Sequence, residues 1–303
     1  EDSSLIEDAS INVDGNITKG YVRLALEAKN NSEMGRYDLG TFLVTTPKKS
    51  INGYRITGEL ECYSVLKPAE DKALPIGWFF PEGGDPIAGA SELLSECLVC
   101  PVTPAESGLC TDSVKIAENN ETYLSMAKYL LTDTGYYISI DGRGRVEIKQ
   151  KKDTIVKTFD TLDNDVLLPD ITDESDIFDI PNILRVTDDY GNLEIIENHD
   201  EDSETSINNL GWEKWSSEQL SLGFGETLIG KGNERMEELS KSYRKIGYTR
   251  EFDPDVNIND VALFLLPHQG IIGSFRVISQ SLTIGNGVQV KEIAKFESKN
   301  WRE

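Results

Sequence analysis

The chain has 303 residues, of which 38% are hydrophobic, with a mean hydropathy of -0.36 and a net charge of -23. That is room for two or three domains at the usual ~100–200 residues each, and it disfavours two classes of function. Nucleic-acid binders need clustered Lys and Arg to displace counterions from phosphates. A membrane-spanning helix needs ~18–20 consecutive apolar residues, whereas the longest apolar run here is Val261–Pro267.

The chain opens on Glu1-Asp2-Ser3-Ser4, without the basic-then-apolar pattern of a secretory signal and without an initiator Met, so further residues are expected upstream. Ile11–Val13, Tyr21–Leu26, Leu39–Thr45 and Tyr54–Cys62 are runs rich in β-branched and aromatic residues. Turn clusters at Asp14-Gly15-Asn16, Asn30-Asn31-Ser32 and Asn52-Gly53 separate them. Residues 1–80 are therefore expected to form a small antiparallel barrel-like domain.

The pattern changes after the Gly/Pro-rich stretch 80–86. Apolar spacing at Ile87, Ala90, Leu93, Leu94 and Cys97 predicts a helix over about 87–99. A second is predicted over 120–133, starting at Asn120, with Leu124, Ala127 and Tyr129–Leu131 on its apolar side. Tyr136–Ile140 and Arg145–Lys149 flank Asp141-Gly142-Arg143-Gly144, a hairpin signal. Residues 81–150 thus read as an α+β unit of two helices and a hairpin.

The stretch 151–180, acidic and broken by Pro169, reads as a connector. Residues 181–303 are expected to form a second barrel-like domain. Its predicted strands are Asn182–Thr187, Leu193–Ile196, Val261–Leu266, Gly273–Ser279, Ser281–Ile284 and Val288–Phe296, the last two joined by a turn at Gly285-Asn286-Gly287. The polar stretch His199–Asn209 reads as a mobile loop, and a helix is predicted at about 233–246, with Met236, Leu239, Tyr243 and Ile246 on one stripe. The fold class expected is α+β, mainly β: two small antiparallel barrel-like domains flanking a helix–helix–hairpin unit.

The search for chemistry yields no catalytic, cofactor-binding or metal-binding assignment. Cys97, Cys100 and Cys110 form a CxxC with a third Cys ten residues on, and Cys62 stands apart. A closed zinc site needs four Cys/His ligands, and the only histidines, His199 and His268, are distant in sequence. These cysteines read first as small core residues, with zinc, disulfide or redox roles as alternatives. Neither histidine sits in a nucleophile motif. Gly223-Phe224-Gly225 and Gly230-Lys231-Gly232 lack the strand–loop–helix spacing of a phosphate loop, so Lys231 reads as a loop residue. Asp160, Asp163 and Asp165 lack the Gly and Glu of a calcium loop. A glycosidase needs only two carboxylates, but Trp78, Trp212, Trp215 and Trp301 are scattered, leaving Trp212/Trp215 as the one close aromatic pair. Between Asp160 and Glu204 sixteen acidic residues face one basic residue, Arg185. This is either a set of solvated loops or a surface past which a polyanion slides without sticking.

The order of features resembles a known family. Tyr37–Thr45 followed by Glu59–Tyr63 is similar to an opening barrel motif of phage tail hubs. Asn120–Leu131 with Gly135–Ile148 resembles that family's helix, Gly, strand, Asp-x-x-Gly, strand unit. Asp179–Val186 is similar to the entry into its second barrel, and Ile258–Leu263, Gly270–Ser279 and Ser281–Ile284 to its closing strands. The family is that of phage tail baseplate-hub and tail-tip proteins, related in fold to the hubs of contractile tails. The acidic stretch and the CxxC depart from its pattern. The resemblance implies a non-enzymatic virion protein without cofactors, a homotrimer that joins a hexameric tail tube or distal tail protein to a central spike or fibre. Its two barrels per chain would let three-fold symmetry meet six-fold symmetry around a passage for DNA, with assembly in the host cytoplasm. A receptor- or carbohydrate-binding tail module is the alternative, and a cell-wall glycan hydrolase a further one; no lysin domain lies within the 303 residues.

Overall fold

In the computed structural model the β-rich opening of the chain becomes a meander. Strands β1 (Asp8–Gly15), β2 (Gly20–Asn30), β3 (Glu33–Asn52) and β4 (Arg55–Ser64) pair antiparallel in the order β1-β2-β3-β4. Val22, Ala25, Leu26 and Val44 are buried in it. The structure describes residues 8–15, 20–30, 33–118, 120–132, 134–160, 167, 170–220, 222, 226–241, 244–284 and 288–298. The chain separates into two units, Glu1–Lys151 and Lys152–Glu303.

The rest of the first unit is built from α1 (Lys67–Asp71), β5 (Phe79–Phe80), α2 (Pro86–Cys97), β6 (Lys115–Ile116), α3 (Tyr123–Leu131), β7 (Tyr136–Ile140) and β8 (Val146–Gln150). The apolar stripe of α2 (Ile87, Ala90, Leu93, Leu94) packs with Met126, Ala127 and Leu130 of α3 and with Val146 and Ile148 of β8. The second helix starts at Tyr123 rather than Asn120 because Thr122 and Ser125 form a reciprocal capping box. Asn120 itself is left-handed, with φ 66. The five-residue α1 is too short to show a periodicity in sequence.

Two polar devices hold this unit. Asp85 caps α2 through the N–H groups of Ile87 (2.9 Å) and Ala88 (3.3 Å). It also accepts from the N–H groups of Ser107 (2.6 Å) and Gly108 (2.9 Å) and from the Ser107 hydroxyl (2.9 Å). One carboxylate thus ties a helix to an irregular loop. Burial pushes its pKa up, but these hydrogen bonds outweigh burial and hold it below the ordinary 3.8. The β7–β8 turn, meanwhile, docks on the meander. Arg143 donates to Asp38 (3.0 Å), Arg23 to the Arg143 carbonyl (3.2 Å), and Thr41 to the Gly142 carbonyl (3.3 Å). At Gly142 a Cβ would lie 1.9 Å from the Asp38 carbonyl oxygen, so only glycine allows this approach.

The second unit holds two sheets. One orders β10 (Thr172–Ser175), β14 (Arg244–Glu251), β17 (Val288–Ser298), β16 (Ile271–Ile284), β15 (Val261–Leu266) and β9 (Ile155–Asp160). Only β9 pairs parallel there, with β15. The other orders β12 (Leu193–Glu197), β11 (Ile183–Thr187) and β13 (Trp215–Gln219), with β11 and β13 parallel. Leu184, Val186 and Ile196 of this sheet pack on Met236 of α5 (Leu228–Lys241). A short helix, α4 (Ile207–Leu210), and a 3-10 turn at Pro267–Gln269 complete the unit.

The core of the six-stranded sheet is aromatic. Phe159, Tyr248, Phe264, Phe275 and Phe296 meet at centroid distances of 5.0–5.8 Å, mostly edge to face. Within the same sheet lies a buried ion pair. Arg250 on β14 donates to both carboxylate oxygens of Glu292 on β17 (2.9 and 2.7 Å) and to the carbonyls of Glu251 and Val256. Gln280 on β16 adds a third donor to Glu292 at 2.8 Å. Burial first, and then the Glu292 charge, push the Tyr248 phenol upwards, so it stays neutral.

Three expectations need correction. The stretch 151–180 is not only a connector, since it supplies β9 and β10. All four residues of β10 are exposed, so main-chain pairing and the Asp173–Arg244 ion pair hold it and no hydrophobic alternation marks it. The helix expected at 233–246 runs over Leu228–Lys241, and Ile246 lies in β14. Ile246 falls seven residues after Leu239, in phase with a helical stripe, which is why the strand went unread; Tyr243 lies outside the described residues. The stretch 199–209 is folded rather than loose: Thr205 and Ser206 are buried, and neighbouring Asn198 bridges Ser203 and Ser240 at 3.0 Å each. The turn at 285–287 lies outside the described residues.

Gly142→Ala should destabilise the first unit by ~1–3 kcal/mol through overpacking, read as a lower urea midpoint at unchanged slope. Glu292→Ala should destabilise the second by ~3–5 kcal/mol, because it strands a buried Arg250. An Arg250→Met, Glu292→Leu double variant should recover most of that loss in the same titration. Asp85 stabilises fully while both folded and unfolded chains are ionised, above about pH 3.9. As pH falls below this the unfolded chain protonates first, and the contribution disappears through the lower folded pKa. Asp85→Ala should therefore cost ~1 kcal/mol or more at neutral pH and less than that at the acid end, by chemical denaturation across pH.

Candidate assembly surfaces

Of the cysteines and histidines singled out in the sequence, some have structural partners and others lie exposed. Cys97 lies in the last turn of α2 and donates to the carbonyls of Leu93 and Leu94. It and Cys100 pack against the first core, and burial pushes both thiols up, away from the reactive thiolate. Cys62 and Cys110 are exposed, and all four cysteines are unbridged. His199 is exposed; its hydrogen bonds to Glu197 (2.9 Å) and Asn208 (3.4 Å) raise its pKa. His268 lies in the exposed 3-10 turn. Among the described residues no group of three or more His, Cys, Asp or Glu is placed to hold a metal. Asp163 and Asp165 lie outside them, as do Gly223–Gly225 and Trp301.

Lys231 is not a loop residue: it sits inside α5 and pairs with Glu226 at 3.1 Å. The neighbouring glycines serve packing. A Cβ on Gly232 would come within 2.8 Å of Ile196 and 3.2 Å of Val186, so glycine lets the helix lie close on its sheet.

Trp212 and Trp215 do not form a joint platform in these contacts. Trp212 (37% exposed) stacks on Phe178 (69% exposed) with centroids 6.0 Å apart. Trp215, 48% exposed, has the Arg185 guanidinium 5.8 Å from its ring centre and donates its indole N–H to Glu213. Phe178 is a partner that sequence reading missed, because it is 34 positions away with no periodicity linking the two.

The sheet orders put β1 and β4 at the edges of the meander, and β10 and β9 at those of the six-stranded sheet. In the three-stranded sheet the face opposite α5 carries exposed Leu193, Ile195 and Trp215 around Arg185. Arg185, the single base of its acidic stretch, thus lies centrally on an apolar face, which strand alternation about Leu184 and Val186 could have indicated. The acids around it build turns: Asp176, Asp188 and Asp200 each accept a main-chain N–H two residues on.

No family model matches the sequence, and no curated protein matches it in sequence. Solved structures do match. A tail protein from Neisseria meningitidis MC58 superposes with a TM-score of 0.66 at 10% identity, covering 91% of this chain and 87% of that one. The 43 kDa tail protein of prophage MuSo2 from Shewanella oneidensis superposes with a TM-score of 0.63 at 12% identity, over 90% of this chain and 79% of that one. The expected likeness to phage tail proteins is thus met in three dimensions: this chain has their fold.

Proposed function

We propose that the chain is a structural, non-enzymatic part of a phage or phage-derived tail: a hub that joins a hexameric tail tube to a three-fold tip, spike or fibre. The observation that carries this reading is the fold it shares, over nine-tenths of its length, with two tail proteins. In this reading it acts as a homotrimer at the tail tip or baseplate. The two β-rich lobes, from residues 1–80 and 181–303, with β9 and β10 completing the second sheet, make similar but unequal contacts around a ring. Two such lobes per chain let a closed three-fold assembly present six comparable sites to a tube. Partner strands would cover the open sheet edges. The net charge of -23 suits a wall along which DNA passes without adhering.

The exposed Phe178–Trp212 stack favours a second reading, a receptor- or carbohydrate-binding tail module. Its ring faces would offer the apolar platform that a sugar needs.

Native mass spectrometry of the purified chain, alone and mixed with the tube protein, separates these readings. A trimer that also binds tube subunits is the expected outcome. A monomer that ignores tube protein but binds glycans would replace the hub by the second reading. Clearing of cell-wall substrate in a zymogram would overturn the non-enzymatic assignment.

A further inference from the structure

The β3–β4 hairpin extends beyond the sheet that anchors it. Pairing of β2 with β3 ends at Gly20 opposite Val44, while pairing of β3 with β4 continues to Asn52 opposite Arg55. Residues 45–52 are therefore bound on one side only among the described residues. At ~3.3 Å per residue this arm reaches ~26 Å past β2. A two-stranded ribbon of this kind is marginally stable in water by itself.

The tip has a distinct chemistry. Ile51 is 71% exposed and Tyr54 fully exposed, flanking Gly53, whose φ of +61 makes the turn. Residues 47–55 include Lys48, Lys49 and Arg55 and no Asp or Glu, in a chain whose net charge is -23. Pro47 and the lysines are residues that discourage uncontrolled edge-to-edge pairing. That protection accounts for the charges but not for an apolar Ile51 and Tyr54 held out in water. Farther from the turn Lys48 pairs with Glu61 of the same hairpin at 3.3 Å, which leaves Lys49 and Arg55 as the bases nearest the turn in sequence. A tip with those bases beside apolar residues is complementary to an acidic surface, and this chain is itself a source of such surface.

We propose that the β3–β4 arm is the grip between copies: its tip seats against an acidic surface of a second copy of this chain. The proposal rests on the homo-oligomer reading above and assigns it a residue-level determinant. Ile51 and Tyr54 supply the buried anchor, and the basic flanks supply orientation and salt sensitivity.

Sedimentation or light scattering of the full chain tests it. An Ile51→Ser, Tyr54→Ser variant should self-associate at least ~30-fold more weakly than the parent, with unchanged circular dichroism because both side chains are exposed. Parental association should weaken from about 0.1 M to about 1 M salt, as the screening length falls from ~10 to ~3 Å. A Lys49→Glu, Arg55→Glu variant, which spares the Lys48–Glu61 pair, should lose that salt response. An oligomeric parent whose two variants associate as tightly as it does would sink the arm's role and leave the hub reading intact. A parent monomeric at every concentration would sink both.

Discussion

A strand at the edge of a sheet carries, on one side, main-chain N–H and C=O groups that its own sheet does not pair. Strands β1 and β4 stand at the edges of the meander, and β10 and β9 at those of the six-stranded sheet. Among the described residues the strands form sheets of four, six and three strands and two two-stranded ones, so many of them are edge strands. Exposed edges are a hazard for a solitary protein and an interface for an assembled one. Burial of such edges on association makes stability depend on protomer concentration.

The same fold explains where the positive charge goes. Arg250 is enclosed with Glu292, Arg244 pairs with Asp173 at 2.7 Å, and Arg235 with Glu218 and Glu238 at 2.7 and 2.6 Å. Arg276 binds Glu297, Asp153 and the carbonyls of Lys152 and Asn259. Guanidinium groups are suited to this because their planar fork can satisfy several acceptors at once. These arginines hold strands and loops together. The surplus itself comes from composition, 53 Asp and Glu against 30 Lys and Arg, since each of these arginines takes at least one carboxylate with it.

Strong local signals were legible in the sequence. The four opening strands, the hairpin around Asp141–Gly144 and the stripe on α2 each repeat a period over enough residues to be read. The elements that went unread lack that property. Exposed β10 is held by backbone pairing and the Asp173–Arg244 ion pair, and β13 alternates only weakly, with Ser216 and Glu218 where apolar residues would be expected. In β14 the buried position 250 is filled by arginine, whose burial makes sense only once Glu292, forty-two residues on, lies beside it. Non-local pairing of that kind leaves no mark within a short window. The candidate assembly surface was less legible for the same reason: edges, and a hairpin that outruns its neighbour, are properties of topology rather than of residue type.

This bears on why the fold persists where sequence does not. The chain and the two tail proteins share an architecture at 10% and 12% identity, so nearly every side chain differs. A function resting on a catalytic constellation would require particular side chains to be kept at particular distances. A function resting on main-chain edges and on the symmetry of repeated lobes requires only strand order and register, which many sequences can encode. Extensive divergence with retained topology is what strand order and register allow, because main-chain pairing is indifferent to most of the side chains that the strands carry.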